Sequence, residues 1–177
     1  DEGTGYQIKK YHFQTLNILE ETPITNTNMK VKAFSLSHVN PFESTAFLIK
    51  NEESYVLYLG DTGADFVEKS NKLSLLWTEI APLIQRNQLK GIFIEVSFPN
   101  EQPDTQLFGH LTPNHFYNEL HTLSELIGKN GLKGFKIVIT HMKPPIENYI
   151  KIKRQLIKQN DLGLQFVFPK QGKQFEL

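Results

Sequence analysis

Alternating apolar and polar positions predict several β-strands in the first 60 residues of the chain. The clearest alternation runs from Met29 to Leu36, and Thr45 to Ile49 and Tyr55 to Leu59 resemble it, separated by a polar turn. Tyr6 to Phe13 is rich in strand-forming residues, although its alternation is imperfect. Residues 22–28 are polar and include a proline, which predicts a loop.

After Gly63 the apolar positions follow a helical period. They recur at intervals of three and four residues from Leu73 to Ile84, and Pro82 inside that pattern predicts a kink or two shorter helices. Another helix is predicted to begin at Thr112, a hydroxyl N-cap followed by proline, and to end at Gly128. The other predicted elements are strands at Gly91 to Val96, Phe135 to Ile139 and Leu164 to Phe168, and a helix from Ile146 to Gln159 on the spacing of Ile150, Lys153 and Ile157.

This order of elements predicts a layered α/β domain, because strands come first and strands alternate with helices afterwards. No repeat, low-complexity tract or linker divides the sequence, so residues 1–177 are predicted to form one domain. A chain of this size buries roughly 70% of the surface of its unfolded form, which allows a substantial core.

Composition narrows the possible partners and metals. The 19 basic and 19 acidic side chains balance, which argues against a protein that binds by neutralising many nucleic-acid phosphates. The chain has no cysteine, so a metal must be held by His, Asp, Glu, carbonyl oxygen or water, as zinc, manganese or iron can be. No apolar stretch approaches the roughly 18 residues of a membrane span. The absence of cysteine is compatible with cytoplasm and periplasm alike.

Three residues of metal-ligand type follow predicted strands directly: His38, Asp61 and His141. Catalytic groups of α/β proteins gather at the carboxyl ends of strands, which favours a shared site. Each residue also has an ordinary interpretation. Asp61, flanked by Gly60 and Gly63, is a candidate cap of the next turn, and each histidine could be satisfied by a nearby carbonyl group. The three together are predicted to hold a metal.

His110 is a fourth candidate, because it lies just before the predicted helix start at Thr112. Helix N-termini favour anions, and a histidine there can donate a proton to a leaving oxygen. Glu95 lies inside an apolar strand and needs a partner, since an unpaired buried charge is costly. Glu95 could either hold His110 in position or form an ordinary salt bridge, and the sequence does not favour one over the other. His12, His115 and His121 are not assigned to the site, and the last two are predicted to face solvent.

Four ordered motifs resemble those of the class II cyclic-nucleotide phosphodiesterases of the metallo-β-lactamase superfamily. They are Leu59–Gly63, Ile94–Asn100, Leu107–Pro113 and Ile139–Pro144, and the resemblance spans about residues 30–145. It implies a metallo-β-lactamase-like αββα sandwich, in which two sheets pack between helices. It also implies two divalent cations, zinc with manganese or iron as alternatives.

The resemblance assigns roles to the candidate residues. His38, Asp61 and His141 correspond to metal ligands, with Asp61 bridging the two metals, and His110 corresponds to a histidine that assists the leaving group. The family's first motif, His-x-His-x-Asp-His, does not occur in the chain. Catalytic zinc takes three protein ligands plus water, so a two-metal site needs more ligands than these. Because the chain starts at Asp1, we expect it to be the C-terminal portion of a longer hydrolase.

The resulting hypothesis is two-metal hydrolysis of 3′,5′-cyclic nucleotides (cyclic AMP or cyclic GMP) to 5′-nucleoside monophosphates by the complete protein. Asp61 would orient the nucleophile and His110 would protonate the departing 3′ oxygen. Phe98 and Phe108 are candidates for stacking on the base, with burial in the core as the alternative. Two other functions stay open: a tRNA 3′-processing nuclease of the same superfamily, and a non-catalytic nucleotide-binding or regulatory domain. The expected partner is a cyclic nucleotide rather than nucleic acid or membrane, with a homodimer or a missing N-terminal segment to complete the site.

Overall fold

The computed structural model describes residues 13–177, which form a seven-stranded sheet with its strands in sequence order. Strands β1 to β4 are antiparallel neighbours, and β4 to β7 are parallel. Strands β2, β4, β5 and β6 therefore run in the same direction and end at the same edge of the sheet. The strands are β1 (Glu21–Pro23), β2 (Met29–Ser37), β3 (Glu43–Asn51), β4 (Ser54–Leu59), β5 (Leu89–Glu95), β6 (Lys136–Thr140) and β7 (Gln165–Val167).

Four α-helices connect the parallel strands. They are α1 (Asp65–Glu68), α2 (Lys72–Gln85), α3 (Pro113–Ile127) and α4 (Ile146–Lys158), and a short 3-10 helix (Asp104–Gln106) precedes α3. Right-handed crossovers between successive parallel strands place their helices on one face of the sheet. Trp77 and Phe116, from α2 and α3, are completely buried in the core on that face. A fully buried leucine or isoleucine in this core contributes roughly 1.5–3 kcal/mol to stability.

The opposite face of the sheet carries a row of apolar side chains. Phe47, Tyr58, Phe93 and Val138 are successive cross-strand partners, so they lie side by side on that face. Phe175 near the C-terminus packs on Phe93 with ring centroids 6.0 Å apart. The described residues thus form one sheet with helices on one face, as expected of part of a sandwich of two sheets.

The antiparallel start of the sheet differs from the sequence expectation at Thr22 and Pro23. Glu21–Pro23 forms a short edge strand paired with Val31 and its neighbours in β2, whereas a loop was predicted over residues 22–28, of which 24–28 do lie outside any strand. A three-residue edge strand is held by backbone hydrogen bonds and leaves little pattern in its side chains. The strand predicted at Tyr6 to Phe13 lies outside the described residues except for Phe13, which is in no strand.

Pro82 does not divide α2, which is one continuous helix where two shorter helices were an alternative. Proline removes one helical hydrogen bond, to the carbonyl four residues earlier. That carbonyl belongs to Thr78, which is exposed, and Pro82 itself lies within the last turn before the helix ends at Gln85. The helix therefore loses one bond near its end and continues past the proline.

The helix predicted at Ile146 to Gln159 is present as α4, but the spacing of Ile150, Lys153 and Ile157 that predicted it does not mark its buried side. Ile152 and Leu156 are completely buried, whereas Ile150 and Ile157 are 62% and 63% exposed. Both pairs fit a helical period, so the period alone cannot choose which side faces the sheet. No helix within residues 13–177 has the length and apolar character needed to cross a membrane.

Candidate active site

The carboxyl edge of the sheet brings the four predicted site residues together. One ligand atom each of His38, Asp61 and His110 lies within 4.8 Å of the others. His141 Nε2 lies 3.5 Å from Asp61 Oδ2. His38 follows β2, Asp61 follows β4 and His141 follows β6, so strand direction accounts for the convergence of these three. His110 reaches the same place from the segment just before α3.

His38 is oriented by the chain on the other side of the site. Its Nδ1 lies 3.0 Å from the carbonyl oxygen of Gly109, so the ring donates there and leaves Nε2 free to face the cluster. Gly109 has a φ of 74°, and a Cβ at this position would lie 2.5 Å from Val39 N and 2.6 Å from His38 Nδ1. Glycine is therefore required for this close approach of two backbone segments.

The turn that carries Asp61 is fixed by its own backbone. The hydroxyl of Ser44 donates to the carbonyl oxygen of Asp61, and Gly63 N donates to Ser37 O at 3.0 Å. The side chains of Asp61 and His141 are 39% and 44% exposed. Backbone contacts thus hold the turn in place, while the side chains of Asp61 and His141 stay accessible to an ion or substrate.

Glu95, the last residue of β5, lies behind His110 and is only 1% exposed. Its carboxylate accepts hydrogen bonds from Thr62 N (3.2 Å), Ser97 Oγ (2.7 Å) and Leu111 N (3.3 Å). Its Oε1 also lies 2.6 Å from His110 Nδ1. A carboxylate with these partners accepts from His110, so the ring carries hydrogen on Nδ1 and turns Nε2 to the site. Glu95 therefore holds His110, which was one of the two alternatives for it.

Lys143 is a site residue to which the sequence interpretation gave no role. Its Nζ lies 2.6 Å from His110 Nε2 and 5.0 Å from the ring centroid of Phe98. Lys143 N also donates to Ser97 O at 3.1 Å, which fixes the loop after His141. Lys143 lies two residues after His141 in the motif Ile139–Pro144, and this position could have indicated a role in the site.

His115 and His121, both predicted to face solvent, differ in exposure. His115 is only 14% exposed at its side chain, with Nδ1 2.7 Å from Thr112 Oγ1 and Nε2 3.3 Å from Asp104. Burial lowers the pKa of His115, and the Asp104 charge opposes that effect. The prediction was thus wrong for His115, which supports the start of α3. His121 is 44% exposed and pairs with Asp161.

The donor set fits a divalent cation. Imidazole nitrogen and carboxylate oxygen suit zinc, manganese and iron, and a histidine ligand normally donates its other ring nitrogen to a carbonyl or carboxylate, as His38 does. Ligand atoms around a tetrahedral zinc ion lie roughly 3.3–3.5 Å apart, close to the 3.5 Å between His141 Nε2 and Asp61 Oδ2. The described residues thus offer the donor types that a metal requires and, for this pair, the spacing as well.

Known proteins of one family resemble this chain over nearly its whole length. The family of class-II cAMP phosphodiesterases matches residues 4–172. A 3′,5′-cyclic-nucleotide phosphodiesterase of Aliivibrio fischeri is 43% identical, covering 97% of this chain and 53% of that protein. A probable 3′,5′-cyclic-nucleotide phosphodiesterase of Yersinia pestis is 34% identical, covering 97% of this chain and 51% of that protein. The chain spans about half the length of these curated relatives.

Two solved structures resemble the fold. Unliganded yeast PDE1 superposes with a TM-score of 0.74 at 26% identity, over 86% of this chain and 47% of that one. The metallo-β-lactamase fold protein YhfI from Bacillus subtilis gives a TM-score of 0.50 at 14% identity, over 87% of this chain and 54% of that one. The metallo-β-lactamase-like α/β fold predicted from the sequence is confirmed, and the chain belongs to the class-II cAMP phosphodiesterase family.

Proposed function

We propose that the complete protein containing this chain hydrolyses 3′,5′-cyclic nucleotides to 5′-nucleoside monophosphates, with two divalent cations, most simply zinc, at the cluster of His38, Asp61 and His141. The observation that carries the proposal is the convergence of these ligand-type side chains beside the Glu95–His110 pair. The names of the relatives favour cyclic nucleotides as the substrate class.

The metals would supply charge neutralisation at the phosphate and an activated water nucleophile. The ligand roles follow from what each ring nitrogen already contacts. His38 keeps Nε2 for a metal because Nδ1 faces the Gly109 carbonyl, and His141 Nε2 lies 3.5 Å from Asp61 Oδ2. In this proposal Asp61 also orients the nucleophile towards phosphorus.

His110 is assigned to proton transfer although its ligand atom also falls within the cluster. The ammonium group of Lys143 lies against its Nε2, and a lysine ammonium at that position would repel a metal bound to the same nitrogen. An ammonium only donates hydrogen bonds, so Nε2 accepts from Lys143 in this arrangement. We infer that a bound phosphate draws Lys143 onto its own oxygens. Nε2 is then free to take up a proton from solvent and to donate it to the 3′ oxygen as the bond from that oxygen to phosphorus breaks.

Glu95 supports both forms of His110. It receives Nδ1–H from the neutral ring and would stabilise the positive ring after Nε2 is protonated. Because the Glu95 side chain is buried, water does not screen this interaction strongly. General acid catalysis by a positioned side chain typically contributes roughly 10²–10⁴-fold to the rate.

The test uses the full-length protein loaded with zinc or manganese, with metal content and cyclic AMP hydrolysis measured on each variant. We expect His38→Ala, Asp61→Ala and His141→Ala to lose bound metal and activity together. His110→Ala should keep the metal and lose hydrolysis by roughly 10²-fold or more. His121→Ala, far from the cluster on α3, is the matched histidine control and should keep both.

Two results would overturn the proposal. Full metal content in the His38, Asp61 and His141 variants would remove the ligand assignment. Hydrolysis of a tRNA 3′ extension in place of cyclic AMP by the metal-loaded protein would replace cyclic nucleotides with the nuclease alternative.

A further inference from the structure

A cavity of about 440 Å³ opens beside the metal-ligand cluster. His141 belongs to both, since its Nε2 lies 3.5 Å from Asp61 and its side chain lines the cavity. The remainder of the cavity is formed by the end of β6, the start of α4 and Pro169. Ligand pockets commonly have volumes of roughly 300–1,000 Å³, so the cavity can accept part of a molecule whose reacting group sits at the cluster.

The walls of the cavity have the chemistry of a site for an aromatic ring. Ile139, Met142 and Ile146 provide apolar surface, and Tyr149 adds an aromatic side chain. Aromatic side chains stack on nucleobases with little dependence on the base, because every base has a π-face. A planar heterocycle therefore fits these apolar and aromatic walls.

One cation lines the same cavity. Lys153 Nζ lies 4.8 Å from the ring centroid of Phe168, and among the described residues Lys153 forms no salt bridge with a carboxylate. Its ammonium therefore has hydrogen-bond donors left for a ligand. The acceptor that adenine and guanine share on their outer edge is N7, which pyrimidine bases do not have.

We propose that this cavity binds the purine base of the cyclic nucleotide, with Tyr149 as the stacking surface and Lys153 as the donor to N7. The inference rests on the proposed function, and it identifies which part of the substrate the cavity binds. The phosphate then lies at the cluster near Asp61 and Lys143, and the sugar passes over His141, the residue common to both places.

The other aromatic candidates are less well placed for the base. Phe98 already contacts the site itself, with its ring centroid 5.9 Å from that of His110 and the Lys143 ammonium over its face. Phe108 is 64% exposed and does not line this cavity. Phe108 thus serves as the rival position in the experiment.

The experiment measures kcat and KM of the metal-loaded, full-length protein with cyclic AMP, cyclic GMP, cyclic CMP and a methyl riboside 3′,5′-cyclic phosphate that has no base. Tyr149→Ala should raise KM for the purine substrates by roughly 5- to 100-fold, the range expected for loss of one stacking contact. Its kcat and its KM for the base-free substrate should stay unchanged. Tyr149→Phe should restore the wild-type KM, and Lys153→Met should raise KM for cyclic AMP and cyclic GMP but not for cyclic CMP.

Two further variants complete the set. Ile150→Ala, on the exposed side of α4 next to Tyr149, is the control for changes to the helix and should behave as wild type. Phe108→Ala tests the rival stacking position. The proposal is overturned if Phe108→Ala raises KM for purines while Tyr149→Ala does not, or if Tyr149→Ala affects the base-free substrate equally.

Failure of the proposed function gives a different result from failure of this inference. If the wild-type protein hydrolyses no cyclic nucleotide, calorimetric titration with AMP and with ribose 5-phosphate tests the cavity alone. Tighter binding of AMP that Tyr149→Ala abolishes would retain the base site without the reaction. Equal affinity for the two ligands, or no binding of either, would overturn the base site as well.

Discussion

Replacing Glu95 with glutamine separates the support of His110 from the general stability of the fold. The substitution keeps the size of the side chain and one of its oxygens, but it puts an amide NH₂ in place of the other. The carboxylate accepts hydrogen bonds from His110 Nδ1, Ser97 Oγ, Thr62 N and Leu111 N. Glutamine can satisfy only part of this set, whichever way its amide is turned.

The size of the effect follows from these contacts. At least one buried N–H loses its acceptor, which costs roughly 1–3 kcal/mol in the free energy of unfolding. An NH₂ facing His110 also favours the tautomer with hydrogen on Nε2, and loss of the buried carboxylate removes the charge that stabilises the protonated ring. In another enzyme, an aspartate-to-asparagine change behind a catalytic histidine lowers kcat about 10⁴-fold through the tautomer. We expect a decrease in kcat of roughly 10²–10⁴-fold for Glu95→Gln.

Glu119→Gln is the matched control. Glu119 is also a buried carboxylate that accepts from two buried N–H groups, Asp65 N at 2.9 Å and Trp77 Nε1 at 3.2 Å. It should therefore lose a similar roughly 1–3 kcal/mol of stability. Glu119 does not contact His110, so its kcat should stay close to the wild-type value.

The assay combines chemical unfolding, metal analysis and cyclic AMP hydrolysis of the full-length protein well below both unfolding midpoints. A kcat for Glu95→Gln that falls no further than that of Glu119→Gln would refute the role of Glu95. Loss of metal from Glu95→Gln would refute it too, because the defect would then lie in the ligand set and not in proton transfer.

Three other predictions concern the site's backbone, the buried acid and the core. Gly109→Ala should weaken metal binding at least tenfold in a metal titration, because its Cβ would lie 2.6 Å from His38 Nδ1 at a φ of 74°. Burial raises the pKa of Glu119 above 4.5, so its contribution to stability is full below that pH and declines as pH rises through the folded-state pKa. The free energy of unfolding of Glu119→Gln, measured from pH 4 upwards, should not show this decline. Parallel pH profiles of that free energy for variant and wild type would contradict the prediction. Ile152→Ala should cost roughly 2–5 kcal/mol in chemical unfolding, whereas Ile150→Ala on the exposed side of the same helix should cost less than about 0.5 kcal/mol.

The sequence predicts most strands and helices because each carries a strong local signal. Thr112 followed by proline marks the start of α3, where the Thr112 side chain indeed accepts from His115 N. Asp61 and His141 could be singled out because a polar ligand type directly follows an apolar strand, and Glu95 because it is a charge within one. Their roles as ligands and catalytic groups stay predictions until metal and activity are measured.

Other features depend on packing that no local pattern records. Two sets of apolar residues on α4 have a helical period, and only the position of the helix against the sheet decides that Ile152 and Leu156 are buried. Lys143 looks like an ordinary surface lysine in sequence. Its importance comes from His110, which is 33 residues away along the chain and 2.6 Å away in space.

Strand order alone also does not bring the ligands close enough. Neighbouring strands lie roughly 4.8 Å apart, so the ends of β4 and β6, with β5 between them, are separated by about 10 Å. His141 Nε2 nevertheless lies 3.5 Å from Asp61 Oδ2. The loops therefore have to turn inwards over the end of β5.

The backbone at the rim shows how these inward turns are made. Val39, Phe108 and His141 have φ values of 58°, 52° and 52°, in the left-handed region that residues with a Cβ rarely adopt. Such conformations cost of order 1–3 kcal/mol each and persist only where the surrounding structure enforces them. Here the enforcement comes from contacts already described, such as the bond from His38 to the Gly109 carbonyl and that from Lys143 N to the Ser97 carbonyl. Three of the nine described non-glycine residues with positive φ thus lie at turns around this one cluster. Turns held in this way would preorganise the candidate ligands, which then need less rearrangement when an ion binds.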